Sequence, residues 1–375
     1  MHRAIVIVMD GCGAGEAPDA KDFGDFDHPA TLRHVWEQNP GISLPTLRDL
    51  GLLAACKIDR PLENSLDFLG IGSRYGRLRE LSEGGKDSVT GHWEMAGIVT
   101  QNRFPTYPNG FPQSLVSIFE RSIGSKVIGN RPASGTEIIS ELGEEHLRTG
   151  CPILYTSADS VFQLACHEAI VPVERLYHFC MTAREILVTP DNVQRVIARP
   201  FVGTAKAGFE RTGGRRDFPI PPPPNLCDRV GDVFGIGVVP ELFAGRGFRQ
   251  VRRTTNNAEH GAMLRQALQS DARFIWANFE DFDMMYGHRN DVKGFGSCLE
   301  AFDEFIYELL PELTSEDILL LTADHGNDPT TSSTDHSREY VPLVTIGKTV
   351  RTESMPDLAG LTQVGKRVAE HLGLE

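Results

Sequence analysis

The sequence predicts an α/β fold: a core with a mostly parallel sheet and helices on both faces, carrying an inserted α+β cap. Three observations lead there. Short apolar runs alternate with helical patterns, aspartates and histidines sit just beyond several of those runs, and a middle stretch has its own elements but none of these clusters. Alternation of strand and helix implies layers around a parallel sheet. In such sheets a ligand site lies beyond the carboxyl ends of the strands.

The runs Ala4–Met9, Phe274–Phe279, Ile318–Thr322 and Val341–Ile346 are too short for helices and read as buried parallel strands. Helical patterns cover Asn257–Gln269 and Ser297–Leu310, the second stopped near Pro311. From about Thr100 to Pro219 the chain carries strands Ile153–Ser157 and Val193–Ala198, with helices near Pro112–Ile123 and Val173–Leu187. The run Pro219-Ile220-Pro221-Pro222-Pro223-Pro224 after them suits a stiff linker. The expected organisation is a core from residues 1–99 and 220–375, with residues 100–219 inserted as a cap.

At 375 residues the chain can bury an ample core. Its formal charge of -14 excludes a nucleic-acid backbone or an anionic membrane as the expected partner. A phosphorylated substrate is compatible only if metals and a few arginines make the site locally positive. Seven scattered cysteines, none spaced as Cys-x-x-Cys, read as reduced thiols rather than disulfides or a thiolate zinc site. The first apolar run, six residues from Ala4 to Met9, is too short for a signal peptide or a membrane span. A cytoplasmic protein is expected.

Asp10 ends the first strand and is followed by Gly11, Gly13 and Gly15, which let a metal or phosphate approach closely. Asp283 and His288 lie five apart in a loop containing Gly287, with Glu280 and Asp281 as rival ligands. Asp324 and His325 stand together after the third strand, and His336 follows in a polar loop. Hard oxygens and imidazoles at strand ends suit divalent metals. In Lys86-Asp87-Ser88-Val89-Thr90-Gly91, Thr90 reads as a phosphorylatable threonine opening a helix at Gly91, the alternative being an ordinary cap residue. A threonine hydroxyl needs a metal or base to become a nucleophile.

With these residues in place the chain resembles the bacterial phosphopentomutases of the alkaline phosphatase superfamily. The likeness runs through VMDGCGAGEAPDA, GKDSVTGHWEMAG, IGNRPASGTEII, LYTSADSVFQLACHE, RVIARPFVG, DFDMMYGHR, LLLTADHGNDP and TDHSREYVPL. It implies an alkaline-phosphatase-like core and two Mn2+ ions, with Mg2+ or another divalent ion as substitute. Asp283, His288 and His336 would hold one ion. Asp10, Asp324 and His325 would hold the other, with Thr90 completing the shell as phosphothreonine. The cap would supply Asp159 for a sugar hydroxyl and Arg199, Arg211 and Arg215 for the phosphate. The implied reaction interconverts ribose or deoxyribose 1-phosphate and 5-phosphate through a sugar bisphosphate, which also serves as activator. A phosphatase or phosphodiesterase on the same scaffold is the alternative, and a sugar-phosphate binder without turnover a more distant one. The chain departs from the family at Gly237-Val238-Val239-Pro240-Glu241-Leu242-Phe243, where the usual Gly-Lys-Ile-Ser-Asp-Ile-Tyr loses a lysine and an aspartate. It departs again at Glu280, where an apolar residue is usual.

Overall fold

The computed structural model describes residues 2–61, 69–157 and 160–374. The chain forms two compact units. One runs up to Asn102 and resumes at Pro222, and the other is Arg103–Pro221.

Arg3–Met9 lies at the centre of the first unit's sheet. Phe274–Phe279, Val233–Ile236 and Phe248–Arg252 follow on one side, and Asp317–Thr322, Tyr340–Gly347 and Gly72–Arg79 on the other. Short strands Glu353–Ser354 and Leu358–Ala359 pair with Gly72–Arg79 at the edge. Arg3–Met9 is buried at every position from Ala4 onward, as are Phe274–Phe279 and Asp317–Thr322 throughout. Strands with no polar face persist only where both faces are covered.

The parallel pairs need crossovers, and helices provide them. Asn257–Leu268 leads into Phe274–Phe279, opened by the Asn256 side chain accepting from Glu259 N at 2.9 Å. Val292–Leu309 connects Phe274–Phe279 to Asp317–Thr322, opened by Asp291 accepting from Gly294 N at 2.9 Å. That helix begins at Val292, ahead of the expected Ser297, because Asp291 is its cap.

One expectation is corrected. Tyr340–Gly347 pairs antiparallel with Asp317–Thr322, not parallel. The segment between them carries no helix. Without a crossover the chain returns antiparallel, and its apolar run looks the same from sequence in either direction.

The helix Ser88–Met95 is tied to the sheet edge through Glu94, which is fully buried. Its carboxylate accepts from Leu81 N at 3.0 Å, Ser82 N at 2.6 Å and Leu361 N at 2.7 Å. Among the described residues no helix is long and apolar enough to cross a membrane.

The second unit has a sheet in the order Ile128–Pro132, Ile153–Thr156, Val161–His167, Arg195–Thr204 and Gly208–Arg211, with Arg216–Pro219 also against Arg195–Thr204. Alternate residues serve two cores. Leu154, Phe162 and Leu164 pack with Leu115, Phe119 and Phe179 of the helices Gln113–Ile123 and Val173–Ile186. Ile153, Tyr155 and Phe201 pack with Ile138 and Ile139 of the helix Gly135–Thr149.

Replacing Glu94 by alanine leaves two buried amides, Ser82 N and Leu361 N, and the partly buried Leu81 N without an acceptor. At about 1–3 kcal/mol for each unsatisfied group, Glu94→Ala should lose several kcal/mol of unfolding free energy in urea titrations. Glu94→Gln should lose less, since its carbonyl still accepts.

Candidate active site

Four strand and loop ends of the first unit converge on one buried cluster. Asp10, at the end of Arg3–Met9, is held by Asn278 Nδ2, which donates to its Oδ2 at 2.5 Å. Its other oxygen, Oδ1, is buried and has no hydrogen-bond partner. Asp324 accepts from Gly11 N at 3.2 Å and His325 N at 3.1 Å on Oδ1, while its Oδ2 is likewise buried and unpartnered. His325 Nε2 lies 3.4 Å from both unpartnered oxygens. Its Nδ1 is 3.1 Å from Gly326 O and is the donor there, which leaves the Nε2 lone pair facing the carboxylates.

Asp283 sits in a π-helical turn, Phe282–Tyr286, that runs into the 3-10 turn Gly287–Arg289. A π turn brings residues five apart together, and His288 Nε2 accordingly reaches Asp283 Oδ2 at 3.1 Å. His288 Nδ1 faces Thr334 O at 2.7 Å, so its Nε2 is also the free lone pair. His336 Nε2 lies 3.5 Å from Asp283 Oδ1, and the His325 and His336 rings are 4.0 Å apart. Two groups of donors result: Asp10, Asp324 and His325, and Asp283, His325 and His336. The rivals turn elsewhere. Asp281 Oδ2 accepts from Asn257 N at 2.8 Å and Glu280 Oε1 from Val238 N at 2.6 Å. The Glu280 contact brings the two departures from the family pattern together.

The electrostatics ask for cations. Burial, then the neighbouring Asp324 and Asp283 charges, push the Asp10 carboxyl well up. Burial works against the charged form of Asp324 too, but His325 and His92 hold it below the usual carboxylate range. Burial opposes protonation of His336, yet Asp283, Asp335 and Asp87 outweigh it and push its pKa up to about 9. Unpartnered buried carboxylate oxygens facing imidazole lone pairs are the arrangement that divalent ions fill.

The helix expected to open at Gly91 begins three residues earlier, at Ser88, with Asp87 as its cap. Asp87 Oδ1 accepts from Val89 N at 2.9 Å and Thr90 N at 3.2 Å. Thr90 is fully buried, and its hydroxyl donates to Asp87 Oδ2 at 3.1 Å. Ser88 is half-buried, and its Oγ lies 3.2 Å from His325 Nε2. The hydroxyl that meets the donor groups is therefore that of Ser88. Gly91 lets this helix approach, since a methyl there would overlap the Asp324 carbonyl oxygen. Gly11, at φ +72°, is equally constrained: a Cβ would lie 3.1 Å from Asp283 Oδ1.

Sequence reasoning did not count Ser88, Asp87, Asn278 or Asn327 among the site residues. Asn327 Nδ2 donates to Asp283 Oδ1 at 2.7 Å, and His92 Nδ1 lies 2.8 Å from Ser88 O. The Asp-Ser pair ahead of a helical pattern was the available signal for the first two.

Within the second unit, Arg199, Arg211 and Arg215 all act electrostatically on the buried Tyr155 phenol. Burial lowers the Arg199 pKa, and its Nε has no hydrogen-bond partner. Arg215 is paired with Asp217 at 2.9 Å. Asp159 lies outside the described residues.

Residues 241–375 match the family model of the Metalloenzyme superfamily. A phosphopentomutase of Caldanaerobacter subterraneus subsp. tengcongensis is 49% identical over 352 residues, covering 92% of this chain and 87% of that one. A phosphopentomutase of Acetivibrio thermocellus is 45% identical over 383 residues, covering 100% and 96%. Among solved structures, the PH0037 protein from Pyrococcus horikoshii overlays with a TM-score of 0.52 at 16% identity, covering 100% of this chain and 98% of that one, a likeness of fold alone. Fold and donor set thus define a divalent-metal-dependent enzyme. Its identity to full-length relatives goes further: the chain belongs to the phosphopentomutase family.

Ligand binding to the folded state stabilises by about 2.7 kcal/mol at a hundred times Kd. Stripping divalent ions with a chelator should therefore lower Tm by several degrees, and adding manganese should restore it. Asp324→Ala combined with His325→Ala should shrink the difference in calorimetry, leaving only what the Asp283, His288 and His336 group contributes.

Proposed function

We propose that the protein interconverts the 1-phosphate and 5-phosphate of ribose or deoxyribose, with Ser88 as the covalent phosphoryl carrier. The observation that carries this reading is the Ser88 hydroxyl, 3.2 Å from His325 Nε2 at the meeting of the two donor groups. Thr90, given this role from the sequence, is sealed from solvent and spent on Asp87. We assign Thr90 instead the task of fixing the cap that starts the Ser88 helix.

An imidazole nitrogen has one lone pair, so His325 belongs with Asp10 and Asp324, leaving Asp283, His336 and His288 as the second donor set. The oxygen-and-nitrogen donors, with no thiolate among them, favour two manganese or magnesium ions. When bound, such ions stabilise negative charge on phosphoryl oxygens and on a hydroxyl that is losing its proton.

Ser88 carries the phosphoryl group at rest, placed there by a sugar bisphosphate activator. The free hydroxyl oxygen of a bound sugar phosphate forms a bond to phosphorus as the Ser88 Oγ–P bond breaks, and the hydroxyl proton ends on Ser88 Oγ. The sugar bisphosphate turns, Ser88 Oγ forms a bond to the other phosphorus as that sugar O–P bond breaks, and the Ser88 proton passes to the departing sugar oxygen, releasing the isomer. Asp87 and His92 hold Ser88 in register, the first through the helix cap and the second through the Ser88 carbonyl. The arginines around Tyr155 bind a phosphoryl group of the sugar, Arg199 foremost because its Nε is buried without a partner. Seven unpaired cysteines suit a reducing, cytoplasmic setting.

Intact-mass measurement after priming with a sugar bisphosphate should find one phosphate on the parent protein and on Thr90→Ser. Ser88→Ala should carry none and lose isomerisation while keeping its metal content. Phosphate retained in Ser88→Ala would return the carrier role to Thr90.

A charge-assisted hydrogen bond to phosphate contributes on the order of 1.5–3 kcal/mol. Arg199→Ala should thus slow isomer formation by roughly ten- to a hundredfold. Attack of water on the phosphoserine does not need that contact, so the ratio of free phosphate to isomer should rise. An equal fall in both rates would make Arg199 structural.

A further inference from the structure

The loop that presents Ser88 and the loop that presents His336 are far apart in sequence, yet one carboxylate bridges them. Asp25 Oδ1 accepts from Lys86 Nζ at 2.6 Å, and Lys86 stands two residues before Ser88. Asp25 Oδ2 accepts from the backbone N of Arg338 at 2.7 Å, and Arg338 stands two residues after His336. The pair is largely shielded, with the Lys86 and Asp25 side chains 17% and 10% exposed. Shielding makes such a bridge stronger than a surface ion pair.

The Arg338 side chain reinforces the same link. It is 2% exposed, pairs with Glu80, and donates from Nη2 to Asp19 Oδ2 at 2.9 Å. Its Nη1 also reaches Gly85 O at 3.4 Å, directly on the loop that leads to Ser88. The guanidinium lies 4.3 Å over the Phe23 ring, so the short turn Ala20–Phe23 is fastened to the same point. The steps above leave these residues without a role.

We propose that Asp25 is a positioning residue for phosphoryl transfer: it sets the separation of the Ser88 loop from the His336 loop through Lys86 and the Arg338 amide. The inference rests on Ser88 being the carrier. Its two halves are separable. The Lys86 half acts on the phosphoserine, and the Arg338 half acts on the histidine loop and hence on how tightly the second donor set takes an ion.

The test uses Asp25→Ala, Lys86→Met, their double variant and Asp25→Asn, each as the full chain. The readouts are kcat, KM, Mn2+ affinity by competition with a chelating dye, and Tm. Lys86→Met should lower kcat about tenfold, with KM and Mn2+ affinity within about twofold of the parent. Asp25→Ala should lower kcat at least as far and weaken Mn2+ binding several-fold. The double variant should match Asp25→Ala rather than multiply the two losses. Asp25→Asn keeps a carbonyl for the Arg338 amide but no charge for Lys86, so it should resemble Lys86→Met. It carries the test if Asp25→Ala does not fold.

Unchanged kcat and Mn2+ affinity in a folded Asp25→Ala, or multiplicative losses in the double variant, would overturn the proposal. A parent protein that forms no isomer would instead overturn the functional reading. The Mn2+ affinities would still decide whether Asp25 braces the histidine loop.

Discussion

Asp10, Asp283 and Asp324 share one buried pocket, and like charges that close in a medium of low dielectric repel by several kcal/mol. Protonation could relieve this, at the expense of the chemistry. Bound divalent cations would relieve it and keep all three carboxylates ionised, and much of the first unit suits that end. The parallel strands deliver Asp10 and Asp324 side by side. A π turn swings Asp283 and His288 into reach. Backbone carbonyls fix the tautomers of His288 and His325 so that lone pairs, not N–H groups, point inward. Behind them Asn278 holds Asp10, whose other oxygen remains free for an ion, and Asn327 holds Asp283.

How much of this was legible in the sequence depends on which forces set each feature. Arg3–Met9, Phe274–Phe279 and Asp317–Thr322 could be read because a strand buried on both faces must be apolar throughout. Their ends then marked Asp10 and Asp324, with Asp283 shortly beyond its strand. Gly72–Arg79 and Phe248–Arg252 escaped notice because their partly exposed, arginine-rich patterns resemble surface loops. Direction is not written in an apolar run either, so the antiparallel return of Tyr340–Gly347 needed the structure.

The carrier expected from the sequence, Thr90, and the one proposed from the geometry, Ser88, differ for a subtler reason. Ser88 and Thr90 are both hydroxyl residues at the start of one helix, and a shift of three residues in where that helix opens exchanges their roles. Capping by Asp87 supports the proposal of Ser88, since it engages the Val89 and Thr90 amides and the Thr90 hydroxyl together. Chain composition could not show that Glu280, unusual beside a metal loop, meets the Val238 amide. Those two departures form one local unit, remote in sequence but a single contact in space.

Gly91 bears on the portability of this site. The Ser88 helix rests against the Asp324 backbone through a surface that has no side chain at all, and any added carbon would strike the carbonyl. The hydroxyl and its imidazole neighbour are brought within 3.2 Å by that missing methyl as much as by any attraction. An engineer who grafted the donors and the serine onto another scaffold would reproduce the chemistry on paper and not the distance. What would have to be transplanted is an excluded volume, and excluded volume leaves no trace in an inventory of functional groups.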